Sequence, residues 1–127
     1  MNFNFIAADQ FRANTLDSVE KFVDNYPDFQ TVTLNNEGEL NLLLSLMGIG
    51  DAVGHDLTNG EFSKHWDLSK YKLPEFDDQQ FNNFYETWIQ RSNRERNMDE
   101  YGNLIFLQGL SSKWNNLGYR GIVMDLF

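Results

Sequence analysis

Between Phe76 and Ile89 the aromatic residues of this chain recur on a helical period, and no other stretch constrains the fold as tightly. Phe81, Phe84, Tyr85, Trp88 and Ile89 stand at i, i+3, i+4, i+7 and i+8, which places all five on one face of a helix. The start is marked three times over. Asp77 can accept hydrogen bonds from the free N–H groups of a first turn, and Gln80, three residues on, can complete a capping box. Phe76 and Phe81 occupy the two positions of a hydrophobic staple, and Pro74 disfavours helix at Leu73. The pattern predicts a helix over about 78–96.

The remaining signals are shorter. Leu16, Val19, Phe22, Val23 and Tyr26 form a second stripe, with Asn14 or Thr15 to cap it and Pro27 to stop it, so a helix is expected over about 15–26. Gln30 to Leu34 is β-branched and alternating, a strand over about 30–34. The Leu-rich run from Glu39 to Met47 suits a helix over about 38–47, ended by Gly48 or Gly50. Asn103 to Leu107 and Tyr119 to Phe127 read as strands, about 103–107 and 119–126, with Gly102 and Asn115 to Gly118 as their turns. Residues 50–76 look irregular, and the many asparagines read as a loop habit. Helices and strands that do not alternate regularly point to α+β, with three helices on a short antiparallel sheet. The 127 residues fit a single globular domain, 1–127, able to bury roughly two thirds of the surface of its unfolded chain.

Several chemistries lack their residues. Cysteine is absent, which removes disulfides, thiolate zinc sites and a cysteine nucleophile, and suits a reducing, cytoplasmic compartment. Met1 to Ala8 has no basic flank of a secretory signal, and the greasiest run, Leu40 to Ile49, is broken by Asn41, Ser45 and Gly48, so no membrane association is expected. His55 and His65 are the only histidines, and their ten-residue spacing matches neither a zincin helix nor a finger; no metal is expected. The glycines between Gly48 and Gly54 outline a phosphate loop, but Asp51 would repel phosphate and little helix follows; a helix stop is the better reading. Ser63, His65 and Asp67 make a hydrolytic triad on paper only, and no nucleophile elbow is present. The expectation is a protein that is not an enzyme and holds no cofactor.

Charge then carries the functional argument. The formal charge is −9, and residues 1–62 hold ten acids against Arg12 and Lys21 alone, while the rest of the chain holds nine acids against eight bases. Such a field repels nucleic acid and steers basic partners inward. Arg91, Arg94 and Arg96 cluster where a helix dipole favours cations anyway, so direct nucleic-acid binding is not expected. Aromatic residues make up 15% of the chain, enough for both a core and an interface. The expected partner surface is an aromatic and acidic patch of Asp51, Asp56, Glu61 and Asp67, with Trp66 and Tyr71 as anchors.

A compact chain, rich in aromatics, acidic in one half and without a cofactor motif, resembles at the level of class the bacterial immunity proteins that accompany contact-dependent and other polymorphic toxins. That resemblance implies an acidic, cytoplasmic inhibitor that plugs the site of a basic, nuclease-like toxin, and it carries over no individual residue. Two other classes stay open. One is a phage-type mimic of nucleic acid, of the anti-CRISPR or anti-restriction kind, which needs acids at phosphate-like spacing on one face. The other is a small enzyme or ligand-binding domain with its site between sheet and helix, marked by a deep pocket of carboxylates.

Overall fold

The computed structural model describes residues 1–8, 29–50, 52–56, 62–68, 71–117 and 119–125; the helix expected over 15–26 lies outside them, as do Asp51 and Glu61. The fold is α+β. In chain order the described elements are β1 (Asn2–Ala8), β2 (Phe29–Thr33), α1 (Glu37–Leu46), β3 (Gly54–Asp56), β4 (Phe62–Asp67), α2 (Asp78–Ser92), α3 (Met98–Leu117) and β5 (Tyr119–Asp125). The five strands form one sheet in the order β2-β1-β5-β4-β3, and every neighbouring pair is antiparallel.

β1, to which the sequence reading assigned no element, lies between two other strands. Phe3 and Phe5 alternate onto the face that carries the helices and are fully buried there, beside Val32 of β2 and Trp66 of β4. Asn2 and Asn4 point the other way and accept hydrogen bonds from Thr33 and Thr31 at 2.8 and 2.6 Å, a polar ladder between β1 and β2. Ile6 is in phase with them and is fully buried as well, so that face of β1 is also covered.

The helices close over the Phe3 face. Asn36 caps α1 by accepting from the Glu39 N–H at 2.9 Å, and Leu40, Leu43 and Leu44 enter the core. At its end the Gly48 N–H donates to the Ser45 carbonyl and the Ile49 N–H to the Leu44 carbonyl, a Schellman closure in which Gly48 takes a φ of +82°. The glycine outline is thus a helix stop at Gly48. Asp77 and Gln80 exchange both bonds of a capping box at the start of α2. α2 ends at Ser92, short of the expected 96, because Asn93 turns left-handed at φ 56° and Asn97 then accepts from the Asp99 and Glu100 N–H groups to begin α3.

α3 corrects the strand expected over 103–107 and the turn expected at Gly102. Leu104, Leu107 and Ser111 are buried at helical spacing, and α3 packs across β1, β2 and β5. Ile105 and Phe106, which made the run look like a strand, point outward instead. Gly102 stands inside this helix with no atom within 4 Å of where a Cβ would sit. Gly102→Ala is therefore expected to stabilise the fold by about 0.5–1 kcal/mol, read as a higher thermal midpoint; a lower midpoint would mean that the helix does not run unbroken through this position.

The region expected to be irregular holds β3 and β4. Gly54 sits opposite Trp66, and a Cβ there would fall 2.8 Å from the indole ring, so only glycine lets the ring lie across β3. The asparagines dismissed as habit do defined work. Besides those already named, Asn115 near the end of α3 accepts from the Leu73 N–H at 2.9 Å and donates to its carbonyl at 3.1 Å, fastening the segment that leads into α2.

Candidate functional site

Where α2 and α3 lie side by side they leave an open groove of about 580 Å³. The walls follow from the helix periods already described. Phe81 of α2 meets Tyr101 of α3 edge-on at 5.3 Å, and Tyr85 meets the same ring at 4.8 Å and 90°. Phe76, the outer half of the staple, packs on Phe84 at 5.3 Å and closes one end. Gln108 donates to the Phe76 carbonyl and Tyr101 to the Asn82 amide oxygen at 3.1 Å, which fixes the polar rim. Gly109 lines the groove, with no atom within 4 Å of its missing Cβ. Beyond Tyr101 a second hollow of about 230 Å³ continues along the helix pair, between Tyr85, Asn97 and Met98.

Three large apolar side chains of α3 stand exposed on or near the groove side. Ile105 lines it at 44% exposure, neighbouring Phe106 is 67% exposed and Met98 84%. Large apolar side chains left in water along one helix mark an interaction surface more often than a scattered leucine does. Asp78, in the first turn of α2, is the only charged residue among the described residues that line the groove.

Two arginines near the helix pair, Arg94 and Arg96, are engaged within the protein. Arg94 bridges Glu39 of α1 at 2.8 Å and Glu100 of α3 at 2.6 Å, and its guanidinium lies 5.7 Å from the Trp88 ring centre. Trp88 in turn donates to Glu100 at 2.9 Å. Burial works against the charge on Arg94, yet hydrogen bonds to Glu100 and Glu39 outweigh it and hold its pKa above the ordinary value. Arg96 grips Glu86 in a forked pair at the surface; that hydrogen bonding lowers the Glu86 pKa and raises that of Arg96. The arginine cluster of the sequence is thus two internal clasps, with Arg91 in the last turn of α2.

Of the expected patch, Asp51 and Glu61 lie outside the described residues, and the other four do not share one surface. Trp66, expected as an anchor, is 1% exposed and belongs to the core, packed edge-on against Phe3 at 6.0 Å. Tyr71 is half-buried against the same core. Asp56 and Asp67 are both exposed, but on opposite faces of the sheet. Asp56 pairs in register with Lys64, and Lys64 shares the face of Trp66, whereas Asp67 is one residue out of phase. Glu37 and Glu39 also drop out of the acidic field, since Glu37 meets Lys64 at 3.1 Å and Glu39 holds Arg94. The residues that mark the groove side in the sequence are Ile105 and Phe106, two large apolar neighbours left exposed beside the buried stripe of Leu104, Leu107 and Ser111.

His65 adds a pH dependence. Burial lowers its pKa and the facing His55 lowers it further, against the pull of Asp67. The folded chain refuses a proton that the unfolded chain takes up below about pH 6.5, so this contribution to stability is present above that value and is lost as pH falls toward the folded pKa. The urea midpoint is expected to fall between about pH 7.5 and about pH 5.5 in metal-free buffer, and to fall less in His65→Gln. Equal slopes in the two proteins would remove His65 as the cause.

No helix among the described residues is long and apolar enough to cross a membrane. No family model matches this chain, and neither a curated protein nor a solved structure is similar to it.

Proposed function

We propose that this chain is an acidic protein-binding inhibitor of the immunity-protein kind, which engages a basic partner through the groove between α2 and α3. The observation that carries the reading is the groove itself: aromatic walls, Asp78 as the one charge among the described residues that line it, exposed Ile105 in its wall and exposed Phe106 next along α3. A Lys or Arg side chain of the partner suits such a trough. Its alkyl stem lies along Phe81 and Ile105, while its cationic end is drawn to Asp78 and to the ring face of Tyr101. The apolar side chains around the groove exclude water and slow dissociation, and the net charge of −9 speeds encounter. Inhibition follows by occlusion, because the residues that a nuclease-like protein uses to hold phosphate are those such a surface attracts.

The test is a paired capture from the source cells, with the wild-type chain and with Ile105→Asp/Phe106→Asp as bait. Both positions are exposed, so the variant keeps the fold. One basic protein is expected in near-equal amount with the wild type and at least tenfold less with the variant; losing two apolar anchors of about 1.5 kcal/mol each is worth more than that factor. With the purified pair, added salt is expected to slow association far more than it speeds dissociation. Recovery of the same proteins by both baits would overturn the reading. Recovery of no macromolecule would transfer the groove to a small ligand, whose usual range of site volumes it meets.

A further inference from the structure

The two histidines, ten residues apart and unmatched to any metal spacing in the sequence, stand directly opposite each other on β3 and β4. Their ring centroids are 5.6 Å apart and their planes are inclined by 37°. We propose that His55 and His65 form a two-imidazole site for a divalent transition-metal ion, Zn²⁺ in the first instance, at the edge of the sheet. The site is independent of the groove between α2 and α3.

Strand geometry makes the pair a chelate. Directly opposed residues of an antiparallel pair project from the same face with Cβ atoms about 4.5–5.5 Å apart. Two nitrogens on one tetrahedral ion, each about 2.0–2.1 Å from it, lie about 3.3 Å from each other. Imidazoles whose centres are 5.6 Å apart bring facing nitrogens to that separation with small side-chain rotations. Nitrogen donors of this kind suit zinc, copper and nickel rather than calcium or magnesium.

The surroundings fit the same use. His55 is exposed and gives the ion an entry, while His65 is half-buried and holds its ring in place. Asp67 lies two residues along β4 on the His65 face, close enough for its charge to act on that imidazole, and offsets part of the charge of a dication. Among the described residues no group of three or more metal-binding side chains gathers, and the two imidazoles are the protein ligands proposed. The consequence is mechanical. β3 has only three residues and lies at the sheet edge, and an ion shared with β4 ties it down where backbone pairing is least extensive.

Titrating the full chain with Zn²⁺ by calorimetry at about pH 7.5, where an unperturbed imidazole is neutral, tests this directly. One ion per chain is expected for the wild type. His55→Gln and His65→Gln are each expected to weaken binding by more than about tenfold, since even partners outside the ligand set are worth that much. Zinc is also expected to raise the thermal midpoint of the wild type and to leave that of His55→Gln where it stands without metal. His55 is exposed on the edge strand, so its variant carries the test if His65→Gln does not fold. Undetectable binding at millimolar Zn²⁺, or binding unchanged by His55→Gln, would overturn the proposal.

Discussion

Trp66→Ala is expected to lower the stability of the fold by about 4 kcal/mol, within the range of about 3–5 kcal/mol usual for deleting a buried aromatic ring. The indole is 1% exposed, meets Phe3 edge-on at 6.0 Å and lies across Gly54 of β3. Its removal therefore withdraws a large apolar area from the core and leaves a cavity bounded by strands on which neighbouring side chains cannot close freely. A urea titration reads this as a lower midpoint with an unchanged slope. The experiment also separates two roles for one residue. An anchor presented to a partner, as the sequence suggested, would leave the midpoint alone and weaken complex formation; a core residue does the reverse.

The second large effect is expected at Arg94. Arg94→Ala leaves Glu39 and Glu100, whose side chains are 13% and 10% exposed, without the cation that joins them. Breaking a buried pair costs about 3–5 kcal/mol because the remaining charge stays desolvated. Arg94 itself keeps 20% of its side-chain surface in water, which places the expectation at the lower end, about 3 kcal/mol. Arg94→Lys is expected to recover little. An ammonium on a flexible stem does not reproduce the planar fork that spans two carboxylates beside Trp88. If Glu100→Gln combined with Arg94→Ala gave the sum of the two single losses, the residues would not be coupled and the clasp would be a surface pairing only.

The features legible in the sequence alone are those that local chemistry decides. The Asp77–Gln80 capping box and the aromatic stripe of α2 join residues three or four apart, so spacing along the chain is also spacing in space. The α+β class and the helix stop at Gly48 are legible for the same reason. β1 was not legible, because Asn-Phe-Asn-Phe becomes a strand only when β2 and β5 arrive from far along the chain. The run from Asn103 to Leu107 failed differently. Its exposed Ile105 and Phe106 imitate strand composition, while the helical stripe that decides the matter is anchored outside the run, at Ser111 and by partial burial at Tyr101.

The candidate site was only half visible for a related reason. Grouping Asp56, Trp66 and Asp67 by position treats neighbours in sequence as neighbours on a surface, and a strand sends alternate residues to opposite sides. Arg94 looked like a cation answering a helix dipole, whereas the left-handed turn at Asn93 aims it inward at two acids from two other helices. The histidine pair needed the β3–β4 register, and ten residues of separation conceal it completely.

The sheet order places β1 beside β5, the two described strands farthest apart along the chain, at its centre. On a ribosome β5 emerges more than a hundred residues after β1, so the inner edge of β1 waits unpaired while that intervening stretch is made. β4 waits as well, since its pairing with β1 runs through β5. Until Tyr119–Asp125 arrives, the nascent chain presents two open edges and the uncovered rings of Phe3 and Phe5 to whatever is near. Completion of the sheet is therefore a late, single closing event, and the yield of folded protein in the cell depends on how well those edges are shielded during the wait.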